Sequence, residues 1–97
     1  MTNEPLSRLH ATVEGRVQGV SFRYFVQEQA LELGINGWVR NRWNGSVEVT
    51  VEGSRYKLEG LLQVLRVGPP MARVTNVDFE WLPSSGEFNS FWVKSTE

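Results

Sequence analysis

The order of elements in this sequence predicts an α+β fold of two layers, with two helices covering one face of an antiparallel-dominated sheet. Three observations carry that expectation. Two stretches repeat apolar residues at helical spacing, and the stretches around them alternate apolar and polar residues at period two. Glycine and proline clusters separate the stretches. The 97 residues suffice for one two-layer core and not for two, so 1–97 is read as a single domain.

Met1 to Ser7 is polar, contains Pro5, and reads as a frayed lead-in. From Arg8 the chain is extended: Leu9, Ala11 and Val13 alternate with His10, Thr12 and Glu14 until Gly15. After the loop from Gly15 to Val20, Phe22, Val26, Ala30 and Leu33 form a helical stripe with Phe25 beside it. Ser21 can cap that helix and Gly34 can end it. Ile35–Arg42 and Ser46–Gly53 are extended segments. Asn44-Gly45 between them tolerates the positive φ of a tight hairpin turn, so the two should pair antiparallel.

Ser54 can cap a second helix, whose Leu58, Leu61, Leu62 and Leu65 face one way until Gly68-Pro69-Pro70 stops it. Gly60 inside it costs about 1 kcal/mol against Ala. Arg73–Leu82 reads as a fourth strand with Val77, Phe79 and Trp81 on one face, and Val74, out of phase, marks a bulge. Pro83-Ser84-Ser85-Gly86 makes a turn. Phe91 and Val93 then alternate with Ser90, Trp92 and Lys94 in a short C-terminal edge strand. The order strand, helix, strand, strand, helix, strand is that of the ferredoxin-like sandwich (βαββαβ), a fold that hosts many functions.

Composition narrows those functions. Ten Lys and Arg against eleven Asp and Glu leave a net charge of −1, without the basic stripe that nucleic-acid or anionic-membrane binding needs. A ferredoxin-like RNA-binding module would also need exposed aromatics on its central strands. With no Cys there is no thiol nucleophile, disulfide or thiolate metal site, which suits a reducing compartment. No cluster of His, Asp and Glu has metal-ligand spacing: His10 is the sole imidazole and Asp78 the sole Asp. His10 reads as a solvated structural residue. No apolar segment has signal-peptide or membrane-spanning length. The expectation is a soluble cytoplasmic monomer with no metal, cofactor, nucleic-acid or membrane partner.

The stretch Gly15-Arg16-Val17-Gln18-Gly19-Val20-Ser21-Phe22-Arg23 joins the first strand to the first helix. Its glycines let successive N–H groups face inward, and such a nest beside a helix N-terminus attracts anions. Arg23, in the first helical turn, offers a planar fork of donors that matches phosphoryl oxygens. The alternative is a glycine-rich connector with a solvated arginine. The stretch lacks the Gly-Lys-Ser/Thr of nucleotide P-loops and the three-glycine dinucleotide pattern. A second stretch, Asn36-Gly37-Trp38-Val39-Arg40-Asn41, ends in an amide that can donate and accept at once and so orient a water. As a bare pattern, Asn41 reads more readily as a polar strand-end residue near a turn. Trp38, Phe22, Phe25, Phe79, Trp81 and Phe91 read as core; Trp43 and Trp92 have no evident place.

Together, Gly15 to Arg23 and Gly37-Trp38-Val39-Arg40-Asn41, followed by Asn44-Gly45-Ser46-Val47-Glu48, resemble the acylphosphatase family in motif order, spacing and chain size from about Leu9 to Val93. The resemblance implies a small cytosolic enzyme that hydrolyses the carboxyl-phosphate bond of acyl phosphates without metal or cofactor. It implies that Arg23 binds the phosphate, that Asn41 orients the attacking water, and that the backbone from Arg16 through Val17, Gln18, Gly19, Val20 and Ser21 to Phe22 cradles the phosphoryl oxygens. The chain departs from the family's pattern at Arg42, where many animal members have Thr, and in the hairpin Arg42-Trp43-Asn44-Gly45, where Asp-Gly is common. A non-catalytic anion-binding domain that keeps the fold is the competing reading, and against it stand both key residues.

Overall fold

The computed structural model describes residues 5–97. Its elements are β1 (Leu6–Arg16), α1 (Phe22–Leu33), β2 (Asn36–Asn41), β3 (Val47–Ser54), α2 (Arg55–Val67), β4 (Arg73–Pro83) and β5 (Phe91–Val93). The expected Met1–Ser7 lead-in divides: residues 1–4 lie outside the described residues, whereas Leu6 and Ser7 pair with Ser54 and Gly53 in β1. The sheet order is β4-β1-β3-β2-β5, the ferredoxin-like arrangement with one strand added.

The core lies between the sheet and the helices. Leu9, Ala11 and Val13 of β1, Val39 of β2 and Val47, Val49 and Val51 of β3 meet Phe22, Val26 and Ala30 of α1 and Leu58, Leu61, Leu62 and Leu65 of α2. Both helical stripes thus bury as their spacing predicts, except that Leu33 is only partly covered. Helix α2 runs unbroken through Gly60, with Ser54 Oγ accepting from the Lys57 amide at its start.

β1, β3, β2 and β4 pair antiparallel, and β5 pairs parallel to β2, which makes the sheet mixed. Chain reach dictates the parallel direction. From β4 to β5 is four strand spacings, about 19 Å, and the seven residues between them span at most about 25 Å. The connector therefore delivers the chain to the near end of β2, and β5 can only run alongside it. On its way it is held by a buried carboxylate: Glu52 of β3 accepts from Ser85 N at 2.8 Å, Ser85 Oγ at 3.0 Å, Gly86 N at 3.0 Å and Arg8 Nε at 2.8 Å. Burial by itself would raise the Glu52 pKa; those donors overcome it and hold the carboxyl below the usual range.

Several local expectations change. The hairpin loop is residues 43–45, with Gly45 N bonded to Arg42 O and Arg42 N to Ser46 O, but of Asn44 and Gly45 only Gly45 takes a positive φ, 94°. Asn44 instead uses its side chain, accepting from Ser46 N and Oγ. Phe79 is 43% exposed because β4 is an edge strand that α2 covers incompletely. There Arg66 lies over Phe79 and Arg55 over Trp81, the latter at 3.7 Å. Trp38 is not core either; it faces away from the helices, between Arg40 and Lys94 at 4.8 and 4.5 Å from its ring.

The bulge falls where Val74 is out of phase. Glu14 pairs with Asn76 and Gly15 with Val74, leaving Thr75 as the extra residue. Here the two backbones touch: a Cβ on Gly15, whose φ is +125°, would lie 2.1 Å from Arg73 O. By contrast, a Cβ on Gly60 would meet nothing within 4 Å. Replacing each with Ala should therefore act in opposite directions in urea unfolding. Gly60→Ala should stabilise by about 0.5–1 kcal/mol through helix propensity, and Gly15→Ala should destabilise by at least about 2 kcal/mol through strain and collision. Equal effects would contradict the bulge geometry.

Candidate active site

β1 and β2 both run antiparallel to β3, so they point the same way and end at one edge of the sheet. Val13, Val47 and Asn41 share one row across β1, β3 and β2, which sets Asn41 about 10 Å, two strand spacings, from β1. Beyond that row β1 leaves β3, follows β4 to Arg16, and turns into the loop that starts α1. The loop, the first turn of α1 and the end of β2 thus meet at one end of the molecule.

The loop backbone reverses hand twice. Gly19 has φ 74° and Ser21 has φ 62°, ψ 25°, while Val20 between them does not have positive φ. Alternating hand turns neighbouring N–H groups to the same side. Ser21 occupies the N-cap position as expected, but its left-handed backbone turns its hydroxyl away and the side chain makes no capping bond. Among the described residues, the first amide of this region with a chain acceptor is Phe25, which bonds Ser21 O. The amides at the helix start are left for an external acceptor. No acidic residue sits in the first turn of α1 to occupy them.

Arg23 is the second residue of α1 and half-buried. Arg8, Arg40, Arg42 and Arg55 are all ion-paired. Arg23, like Arg16, Arg66 and Arg73, has no carboxylate partner among the described residues. Asn41 lies on the side of β2 that carries buried Val39, facing the helices. Its carbonyl accepts from Glu97 N at 3.2 Å. Of the loop residues, Val17 is buried in the core and Phe22 packs edge-on against Phe25, while Arg16 and Gly19 are exposed. The two sequence motifs thus lie at the same end of the molecule, the loop and the first turn of α1 at the end of the sheet where β2 finishes at Asn41.

Two features escaped the sequence reading. The Gln18 side chain donates to Arg42 O at 2.7 Å and to Ser46 O at 2.9 Å, tying the loop to the hairpin. On the far face of the sheet Glu48, 8% exposed, accepts from His10 Nε2 at 2.7 Å, Arg40 Nε at 2.7 Å and Arg42 at 2.9 Å. His10 is thus an anchor and not a solvated residue. Arg40 and Arg42 flank Asn41, so the same carboxylate braces the strand end. The alternation of Glu48 with Val47 and Val49 exposed the pattern but not the burial, which depends on β1 and β2 supplying cations on both sides.

Sequence and structure comparisons bear on the family and the fold. The acylphosphatase family model matches residues 9–93. An acylphosphatase of Pelotomaculum thermopropionicum is 48% identical over 87 residues, 90% of this chain and 95% of that protein. The acylphosphatase structure from Bacillus subtilis superposes with TM-score 0.88 at 35% identity, covering 91% of this chain and 98% of that one. That from Coxiella burnetii gives TM-score 0.88 at 38% identity over 97% and 100%.

Burial alone would raise the Glu48 pKa, yet the donors from His10, Arg42 and Arg40 bring it from 4.5 down to about 2. A depressed folded-state value means that the contribution to stability is complete above pH 4.5 and is lost as pH falls towards 2. Glu48→Gln, which removes the charge facing His10, Arg40 and Arg42 and one of the two acceptor oxygens, should cost about 3 kcal/mol at neutral pH, and its stability should fall less steeply than that of wild type between pH 4.5 and 2. Urea unfolding across that range reads both; parallel curves would show that Glu48 is not the titrating anchor.

Proposed function

This chain belongs to the acylphosphatase family and hydrolyses the carboxyl-phosphate bond of small acyl phosphates, and we propose that Arg23, Asn41 and the loop from Arg16 to Phe22 carry the reaction, by attack of water on phosphorus and without a metal or other cofactor. One observation supports the assignment above the rest: an unpaired arginine, a turn with free amides and a strand-end Asn converge at one end of the sheet.

The chemistry demands little more. The leaving group is a carboxylate whose conjugate acid has a pKa of about 4, stable when expelled at neutral pH, so no general acid is needed. The amides of the loop and the Arg23 fork hold the phosphoryl oxygens and spread their charge in a loose transition state. The Asn41 side-chain oxygen accepts a hydrogen bond from a water and places that water's oxygen in line with the departing carboxylate. As the water oxygen bonds phosphorus, the bond from phosphorus to the carboxylate oxygen breaks, and a water proton passes to a phosphoryl oxygen. A dianionic acyl phosphate and water thereby become a carboxylate and H2PO4⁻. We also read the working unit as a cytoplasmic monomer, since every group used comes from one chain. Among the described residues no helix is long and apolar enough to cross a membrane.

Arg23→Ala should reduce turnover of benzoyl phosphate at least about 10²–10³-fold, the loss seen when an oxyanion donor is removed. Arg23→Lys should fail as well, because a point charge cannot reproduce the fork. Asn41→Ala should lose turnover while inorganic phosphate still inhibits competitively, and wild-type activity should persist in EDTA. Near-normal turnover of Arg23→Ala, or abolition by EDTA, would overturn the assignment.

A further inference from the structure

We propose that Gln18 is a positioning residue whose side chain sets the distance and angle between the phosphate cradle and Asn41. The inference rests on the roles given above to the loop and to Asn41, and it concerns the Gln18 side chain, where the cradle uses only its backbone.

The last residue pair between β1 and β3 is Val13 with Val47. Past that row β1 is bonded to β4 alone, so the loop and the hairpin diverge from the sheet as two separate projections. Among the described residues, the hydrogen bonds that rejoin them are the two from Gln18 Nε2, to Arg42 O and Ser46 O. Both acceptors already have a backbone donor: Ser46 O takes Arg42 N at 2.8 Å, and Arg42 O takes Gly45 N at 3.1 Å. One amide group thus spans the neck of the hairpin and uses its two hydrogens on its two sides. Arg42 is the neighbour of Asn41, so a shift of its carbonyl swings the Asn41 peptide. The donors come from the middle of the turn whose amides face the phosphate. A movement of the cradle is therefore passed to the strand end and the two halves of the site move together. The bonds are partly buried, which keeps water from replacing them.

If Gln18 acts by aligning two groups rather than by binding either, its loss should separate turnover from affinity. Gln18→Met keeps the length of the side chain and removes both donors. In a protein whose circular dichroism matches wild type, kcat for benzoyl phosphate should fall about 10–100-fold while the inhibition constant of inorganic phosphate moves less than about 3-fold. The same substitution made in Asn41→Ala should cost almost nothing more, because the group it aligns is gone. Gln18→Asn, one methylene too short to span the neck, should behave as Gln18→Met does and serves if that variant folds poorly. Unchanged kcat, equal losses in kcat and phosphate affinity, or a full further loss in the Asn41→Ala background would each overturn the proposal. If Asn41→Ala itself keeps normal turnover, the role given to Asn41 fails and the proposal fails with it. If Asn41→Ala is inactive and Gln18→Met is normal, the proposal alone fails.

Discussion

A carboxylate on a strand buried on both faces is tolerated only where cations reach it, and the placement of Glu48 governs much of this molecule. β3 is the middle strand of five; helices cover one face, and long side chains from β1 and β2 cover the other. His10, Arg40 and Arg42 converge on Glu48, while Arg8 and the Ser85-Gly86 turn converge on Glu52. These contacts lace β1, β2, β3 and the β4–β5 connector together on a face that has no helix. They also pair the guanidinium charges of Arg8, Arg40 and Arg42. The charge left unpaired at Arg23 lies on the helix side, next to amides that have no acceptor of their own.

The two faces are linked at Asn41. Its neighbours on either side point away from the helices into the Glu48 cluster, its own side chain points toward them, and Glu97 N and Trp43 N extend the bonding past the strand end. A residue at the last position of a strand would ordinarily fray. Here the flanking arginines, the hairpin and the C-terminal residue hold it, and Gln18 fastens the arrangement to the loop.

Much of this was legible in the sequence, and the failures share a cause. The helical stripes of α1 and α2, the alternation in β1 and β3, the out-of-phase Val74 and the two motifs report local periodicity or turn chemistry, which short windows carry. The direction of β5, the exposure of Phe79, the anchoring of His10 and the spanning role of Gln18 depend on residues far apart in the chain. Gln18 and Arg42 are 24 positions apart, and Glu52 and Ser85 are 33. Ser21 is a different case: the residue type suits an N-cap, but the loop's demand for a left-handed residue between Val20 and the helix takes precedence over side-chain capping.

That left-handed Ser21 shows what the chemistry asks of the fold. A non-glycine residue in this conformation costs roughly 1–2 kcal/mol and also forfeits a capping bond. The surrounding structure must supply that energy through the packing of Val17 and Phe22 on either side of the turn. Because the leaving group needs no proton and the nucleophile is water, little of the rate can come from an acid, a base or a covalent intermediate. It must come from where the donors stand before the substrate arrives. Amides held in a strained turn are already oriented and cannot rotate away as side-chain donors can, so their reorganisation cost falls at folding and not in the transition state. If the loop holds the phosphoryl group as proposed, strain in the loop, contact between backbones at Gly15 and the bonds of Gln18 are three expressions of one requirement, that the acceptors of a loose transition state find their donors fixed.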